Sequence, residues 1–196
     1  MIGKNVLHAI RLWRHNLWLM WRYDVLLERG VTTKYVDSIA FGKHATVQSG
    51  SYIYGSRFGH PVRFGDHTVL APGVIVLGDG GFELGESSHL GPRVVVTTQY
   101  GDSRSDMLSP QTKLKYLPVK IGRGCWIGSG SVVMPGVTLG ECCVVAPNSV
   151  VFGKWPDGSH LAGNPARPIH GAAVESGVEI GCAQAERREP RGVCQT

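Results

Sequence analysis

Between Ile121 and Val151 an aliphatic residue returns every six positions, at Ile121, Ile127, Val133, Leu139, Val145 and Val151. In four of the five complete units Gly or Ala follows it, and four positions on stands a small or β-branched residue: Cys125, Ser131, Val137, Cys143, Ser149. An amphipathic helix repeats at i, i+3, i+4 and i+7, and a hairpin strand alternates for only a few residues, so neither sustains such a period. A chain that runs straight, bends and runs straight again does sustain it. Three six-residue units then make one triangular coil, and successive coils stack as parallel strands. The expected fold is all-β, a parallel β-helix whose aliphatic residues fill a prism while small residues and Gly, Pro or Asn take its corners.

The period extends back to about Ile39, less regularly. Phe41, Val47 and Ile53 keep it, as do Phe64, Leu70 and Val76, then Leu84, Leu90 and Val96. The register slips by one residue between Ile53 and Phe64 and by two between Val76 and Leu84, and bulges or small excursions are expected there. Gly78-Asp79-Gly80-Gly81 marks the second slip. About five coils are expected, a prism on the order of 25 Å long at ~4.8 Å per stacked strand. Residues 98–118 break the repeat altogether, polar and charged at their centre. An irregular loop of about 20 residues inside a compact domain is usually functional.

At 196 residues the chain suits one domain, and its 27 glycines suit a fold that bends constantly. The formal charge of +5 invites an anionic partner such as a phosphorylated cofactor or a lipid headgroup. Nucleic acid is not expected, because no basic stripe is interleaved with stacking aromatics. The five cysteines fit no disulfide or zinc spacing; they are expected to pack as small residues in a reducing, cytoplasmic compartment. Residues 1–38 form an N-terminal segment in which 6–29 have helical apolar spacing, with Gly30 at a C-cap position. Its longest apolar run, Leu17 to Trp21, is too short to cross a bilayer, and no signal-peptide cleavage site follows. Packing against the end of the β-helix or a neighbouring subunit is the preferred reading. Its tryptophans and arginines also suit peripheral contact at the inner membrane face. The domain proper covers 39–169, and 170–196 are a charged tail without period.

The stretch 121–151, followed by LAGNPARPI from Leu161 to Ile169, resembles the C-terminal half of the hexapeptide-repeat acyltransferases. The resemblance covers about Phe41 to Ile169 and is closest to the branch containing maltose and galactoside O-acetyltransferases and the acetyltransferases of exopolysaccharide biosynthesis. It implies a left-handed β-helix and a homotrimer with active sites between subunits. The implied reaction is acetyl-CoA-dependent transfer to a hydroxyl or amine of a sugar or surface-polysaccharide intermediate. It also implies that the acyl-CoA arm runs along small residues of the late repeats, here Ser129 and Ala146-Pro147, with Lys154 and Arg167 the cations nearest its phosphates. Gly163-Asn164-Pro165-Ala166 matches the turn by which the family's chain leaves the β-helix.

In the resembling enzymes the excursion loop carries a catalytic histidine. Here Gly101 stands at that place, with Gln99 or Tyr100 there if a small gap is allowed, and residues 97–118 contain no histidine. An acceptor attacking a thioester needs a group to take its proton, and imidazole suits the task. His89 is the first candidate; His60 and His67 lie in earlier coils; Asp102 or Tyr100 could act through a water. Two other classes compete: a non-catalytic or regulatory β-helix scaffold, and a γ-class carbonic anhydrase-like metal protein. The latter would need His60, His67 and His89 as zinc ligands, and their spacing does not match that family. The acyltransferase reading therefore assigns no metal.

Overall fold

A computed structural model describes residues 24–101 and 113–169, and within them the chain is a parallel β-solenoid with one short 3-10 turn, Val36–Ser38. Three sheets form the sides of a prism. Face A stacks seven parallel rungs, from Leu26–Leu27 to His160–Gly163, and ends on the antiparallel strand Ala166–Pro168. Face B runs in six rungs from Thr32–Lys34 to Val150–Val151, and face C in six from Ile39–Phe41 to Lys154–Trp155. The coils span residues 26–41, 46–64, 69–84, 89–121, 126–139 and 144–155. The hexad positions found in the sequence point inward: Val47, Ile53, Leu70, Val76, Leu90, Val96, Ile127, Val133 and Val151 are all fully buried. Together with the hexapeptide pattern this is the left-handed β-helix expected.

The register sorts the three edges into two kinds. From face A to face B the inward residue advances six positions in every coil: Leu27 to Thr33, Val47 to Ile53, Leu70 to Val76, Leu90 to Val96, Ile127 to Val133, Val145 to Val151. From face C to the next face A it again advances six, as in Phe41 to Val47 and Trp155 to Leu161. From face B to face C the steps are 8, 11, 8, 25, 6 and 4: Thr33 to Phe41, Ile53 to Phe64, Val76 to Leu84, Val96 to Ile121, Val133 to Leu139, Val151 to Trp155. All irregularity in coil length lies on this B/C edge. The two fixed corners turn by one left-handed residue per coil. At A/B these are Gly30, Gly50, Gly73, Arg93, Gly130 and Asn148; at C/A they include His44, His67, Ser87, Gly124 and Cys142.

Four expectations change. There are six coils, because the solenoid begins at Leu26 rather than near Ile39. Residues 24–29 are accordingly not helical: Leu26–Leu27 pair with Thr46–Val47, and Val25 is buried in the core. Apolar spacing there serves a rung. Residues 6–23 of the expected helix, and the tail from 170, lie outside the described residues. The one-residue slip between Ile53 and Phe64 is in fact a hexad step with five residues added at the B/C edge. Finally, Cys125 and Cys143 are buried and free, but Cys142 sits on a turn and is disulfide-bonded. The cysteines therefore do not jointly argue for a reducing compartment.

Outward positions differ by face. Face C presents Arg63, Glu83, Lys120 and Lys154, with Glu83 bridging Arg63 at 3.4 Å and Lys120 at 3.5 Å. Faces A and B present apolar ladders: Leu26, Val69, Trp126 and Val144 on A, Tyr52, Ile75, Val95, Val132 and Val150 on B. Among the described residues no helix is long and apolar enough to cross a membrane.

Candidate active site

Two structures flank face B. The first is the A/B corner of the later coils, where Gly91-Pro92, Gly128-Ser129 and Ala146-Pro147 stack. Backbone approaches backbone there without side chains between: a Cβ on Gly128 would meet the Pro147 nitrogen at 2.5 Å and the Ala146 carbonyl carbon at 2.7 Å. The rungs are tied by Gly130 N–H donating to Pro92 O at 2.8 Å and Asn148 N–H to Ser129 O at 2.9 Å. Ser129 and Pro147 are exposed and Ala146 half-buried, so this corner is a ridge poor in side chains. Lys154 and Arg167 are both exposed near the C-terminal end of the prism, Lys154 on face C and Arg167 on the strand that closes face A.

The second is the B/C edge, where the insertions of coils 2, 3 and 4 bind one another. Thr98 Oγ1 donates to Leu77 O at 2.6 Å and accepts from Gly80 N–H at 2.8 Å, while Leu117 N–H donates to Thr98 O at 2.9 Å. From this base the excursion rises as a hairpin, Gln99–Gly101 antiparallel to Leu114–Tyr116. Below it the Asp79 side chain is 2 % exposed and is met by Arg57: NH2 to Oδ2 at 2.7 Å, Nε to both oxygens, and the Arg57 backbone N–H to Oδ1 at 2.9 Å. These hydrogen bonds offset the cost of taking the carboxylate out of water. The Asp79 side-chain hydrogen bonds and charge raise the guanidinium pKa further. Tyr54 beside them has its phenol pushed up to about 12, first by the hydrogen bond with Tyr35 and then by burial.

Asp79 also uses its backbone oxygen, which accepts from Ser56 Oγ at 3.0 Å and lies 2.6 Å from His60 Nδ1. Exposed Phe58 packs edge-on against Tyr116 of the hairpin, centroids 5.0 Å apart, and the Arg57 guanidinium lies over its ring. The coil-2 insertion is thereby joined to the excursion.

The structure distributes the candidate residues unevenly. Gln99 and Tyr100 sit together at the root of the hairpin, Tyr100 39 % exposed and Gln99 with its amide oxygen buried and unpartnered among the described residues. Asp102 lies outside the described residues. His89 is not with them: it occupies face A, paired in register with Val69 and Trp126, and stacks on the Trp126 ring with centroids 5.0 Å apart. Burial lowers its pKa. His60, His67 and His89 stand on the B/C edge, the C/A corner and face A, so they form no triad within one protomer. Sequence reasoning misses the Arg57–Asp79 pair. The Gly-rich marker around Asp79 is visible, but a partner 22 residues away cannot be read from a period of six.

The repeat is that of a known family. Residues 118–153 match the family model described as bacterial transferase hexapeptide (six repeats). The chain is 35% identical over 111 residues to nodulation protein L of Rhizobium leguminosarum bv. viciae, covering 56% of this chain and 57% of that protein. It is 31% identical over 141 residues to WbbJ of Escherichia coli K12, named as a putative lipopolysaccharide biosynthesis O-acetyl transferase, covering 67% of this chain and 71% of WbbJ. The chain thus spans little more than half the length of some of the relatives it matches. In fold it resembles a point mutant of AntD, an N-acyltransferase from Bacillus cereus, in complex with dTDP-4-amino-4,6-dideoxyglucose and coenzyme A. The TM-score is 0.68 at 19% identity, over 83% of this chain and 92% of that one. With the repeat matched and more than two thirds of a 31%-identical relative spanned, the chain belongs to the hexapeptide-repeat acyltransferase family.

Proposed function

We propose that the protein transfers an acetyl group from acetyl-CoA to a hydroxyl or amine of a sugar or glycan intermediate. The observation that carries this reading is the pairing, on the two margins of one apolar face, of a side-chain-poor ridge with the edge that holds every excursion. An extended pantetheine arm needs close approach to backbone amides and carbonyls, and the ridge at Ser129 and Ala146-Pro147 offers it. Lys154 and Arg167, exposed near the same end of the prism, suit the phosphates. A sugar acceptor is supported by the O-acetyl transferase WbbJ and by the amino-sugar nucleotide bound to the AntD mutant. The proposed compartment is the cytoplasm, which an acyl-CoA donor favours.

Within one protomer the ridge and the excursion edge face different ways. A second copy whose A/B corner lies against this B/C edge would bring them together, and a cyclic trimer built from that one heterologous contact closes on itself. The apolar ladders of faces A and B then find cover, while charged face C keeps to solvent. The acceptor attacks the thioester directly. Cys125 and Cys143 are both buried, out of an acceptor's or thioester's reach. Their mutual hydrogen bond raises the Cys125 thiol and lowers that of Cys143 to about 7, and burial keeps both from serving as the nucleophile.

The test is a thermal-shift titration with acetyl-CoA, free CoA and zinc. A ligand that binds only the folded state stabilises it by about 2.7 kcal/mol at a hundredfold excess over Kd. Both CoA species should raise the melting temperature and zinc should not. A melt unmoved by either CoA species overturns the proposed groove and leaves the scaffold reading.

A further inference from the structure

We propose that His60 takes the proton from the acceptor in this transfer, in the place of the histidine that the excursion lacks. The inference rests on the acyltransferase reading above and names the base of that same site. Its ground is the hydrogen bond from His60 to Asp79. A carbonyl oxygen carries no proton, so at 2.6 Å from Asp79 O the Nδ1 atom must be the donor. In the neutral ring the proton then stays on Nδ1, and Nε2 is left with a lone pair. The Asp79 carbonyl is itself held in place. It accepts from Ser56 Oγ, and its residue is clamped by the Arg57 guanidinium and backbone N–H. The ring is therefore fixed in tautomer and orientation on an edge otherwise built of loops, and it remains exposed.

The other described histidines lack this combination. His89 and Trp126 cover one another on face A, and His44 and His67 stack on each other at the C/A corner, with His44 Nδ1 against Asp24 at 2.9 Å. His160 lies on the last rung of face A. Of these residues only His60 stands on the edge that carries the excursion. Its neighbours there are suited to a pyranose: Phe58 and Tyr116 offer ring faces and edges. A Cβ on Gly81 would lie 3.6 Å from His60 Cβ and 3.8 Å from Pro118 Cβ, so the ring's backbone stands against the base of the hairpin.

In the step, the acceptor oxygen or nitrogen forms a bond to the thioester carbonyl carbon and gives its proton to His60 Nε2. The carbon–sulfur bond breaks, and the imidazolium returns that proton to the departing CoA thiolate. The products are the acetylated acceptor, CoA thiol and a neutral histidine.

His60→Asn tests the assignment, because an Asn side-chain amide can still donate to Asp79 O but has no basic nitrogen. The assay follows CoA thiol release from acetyl-CoA with a β-thiogalactoside and with dTDP-4-amino-4,6-dideoxyglucose as acceptors. The variant should melt with the wild type and keep its acetyl-CoA thermal shift. Its kcat should fall about 10²–10⁴-fold, the usual span for losing a general base. Imidazole added to His60→Ala should restore part of the rate, which a purely structural histidine would not allow. Wild-type turnover in His60→Asn, or turnover lost in His89→Asn instead, overturns the assignment but not acyl transfer. A wild-type protein that releases no thiol with either acceptor or with water overturns the reading beneath it, and this proposal falls with it.

Discussion

The two fixed edges of the prism and its variable B/C edge are made by the same chain under different constraints. At A/B and C/A every coil advances six residues, and at B/C the advance ranges from 4 to 25. At a fixed corner each bend lies directly on the bend below, so one extra residue must displace its neighbours above and beneath. At the B/C edge the chain leaves the stack and returns, and its added residues bind one another through Asp79 and Thr98 rather than through the ladder. Repetition secures stability on two edges, and the third is released to carry polar and aromatic side chains.

The strongest test of that contrast is the same insertion made at both kinds of edge. One glycine added between Gly128 and Ser129 shifts the following face-B strand by one residue and turns Val133 outward. Exposing that side chain alone costs about 1.5–3 kcal/mol, and the broken pairing with Val96 and Val151 adds to it. Loss of the cooperative melt, or a drop of more than about ten degrees, is expected. One glycine added beside Gly59, where a Cβ would meet nothing within 4 Å, costs under about 1 kcal/mol by loop entropy and should show in turnover, not melting. Equal melting temperatures for the two insertions would break the distinction.

A subtler version stays within one corner. Gly128→Ala drives a Cβ into the Pro147 and Ala146 backbone, atoms that cannot rotate away, and should cost about 1–3 kcal/mol. Ser129→Ala, one residue on and exposed, should leave stability within about 0.5 kcal/mol while weakening the acetyl-CoA shift. Chemical denaturation of both variants separates the ridge's structural residue from its proposed binding residue.

The period of six is enough to find the prism, its inward residues from Phe41 onward and the break at the excursion, because packing in a stacked coil is local and repeats. It is not enough to find the first coil. Leu26 and Leu27 lie next to apolar residues at helical spacing, and only their pairing with Thr46 and Val47 makes them a rung. The site is legible in proportion to its regularity. Ser129, Ala146 and Pro147 are named through the family resemblance that the regular late repeats carry, whereas Arg57 reaches Asp79 across two insertions of unequal length, which no fixed spacing encodes. Ranking His89 first among the histidines rests on its outward final position in its hexad. The position is outward, and the period of six does not say which of the three faces it belongs to: His89 stands on face A and His60 on the edge that carries the excursion.

His89 offers the mildest test of how the regular part differs from the excursion edge, because there an imidazole serves as a plate in a ladder. Burial against Trp126 lowers its folded-state pKa from 6.5. The unfolded chain therefore binds more protons than the folded one once the pH falls below about 6.5, and stability drops with pH through that window until the folded-state pKa is reached. The side chain is only partly buried, so the slope should be shallow. Melting temperatures between about pH 7.5 and 5.5 should fall more for the wild type than for His89→Gln, which has no titrating ring. Trp126→Ala, which uncovers the imidazole without removing it, should flatten the slope as well. A slope unchanged in both variants would mean that the face-A ladder does not hold this ring neutral, and that His89 is as open to solvent as the residues of the excursion edge.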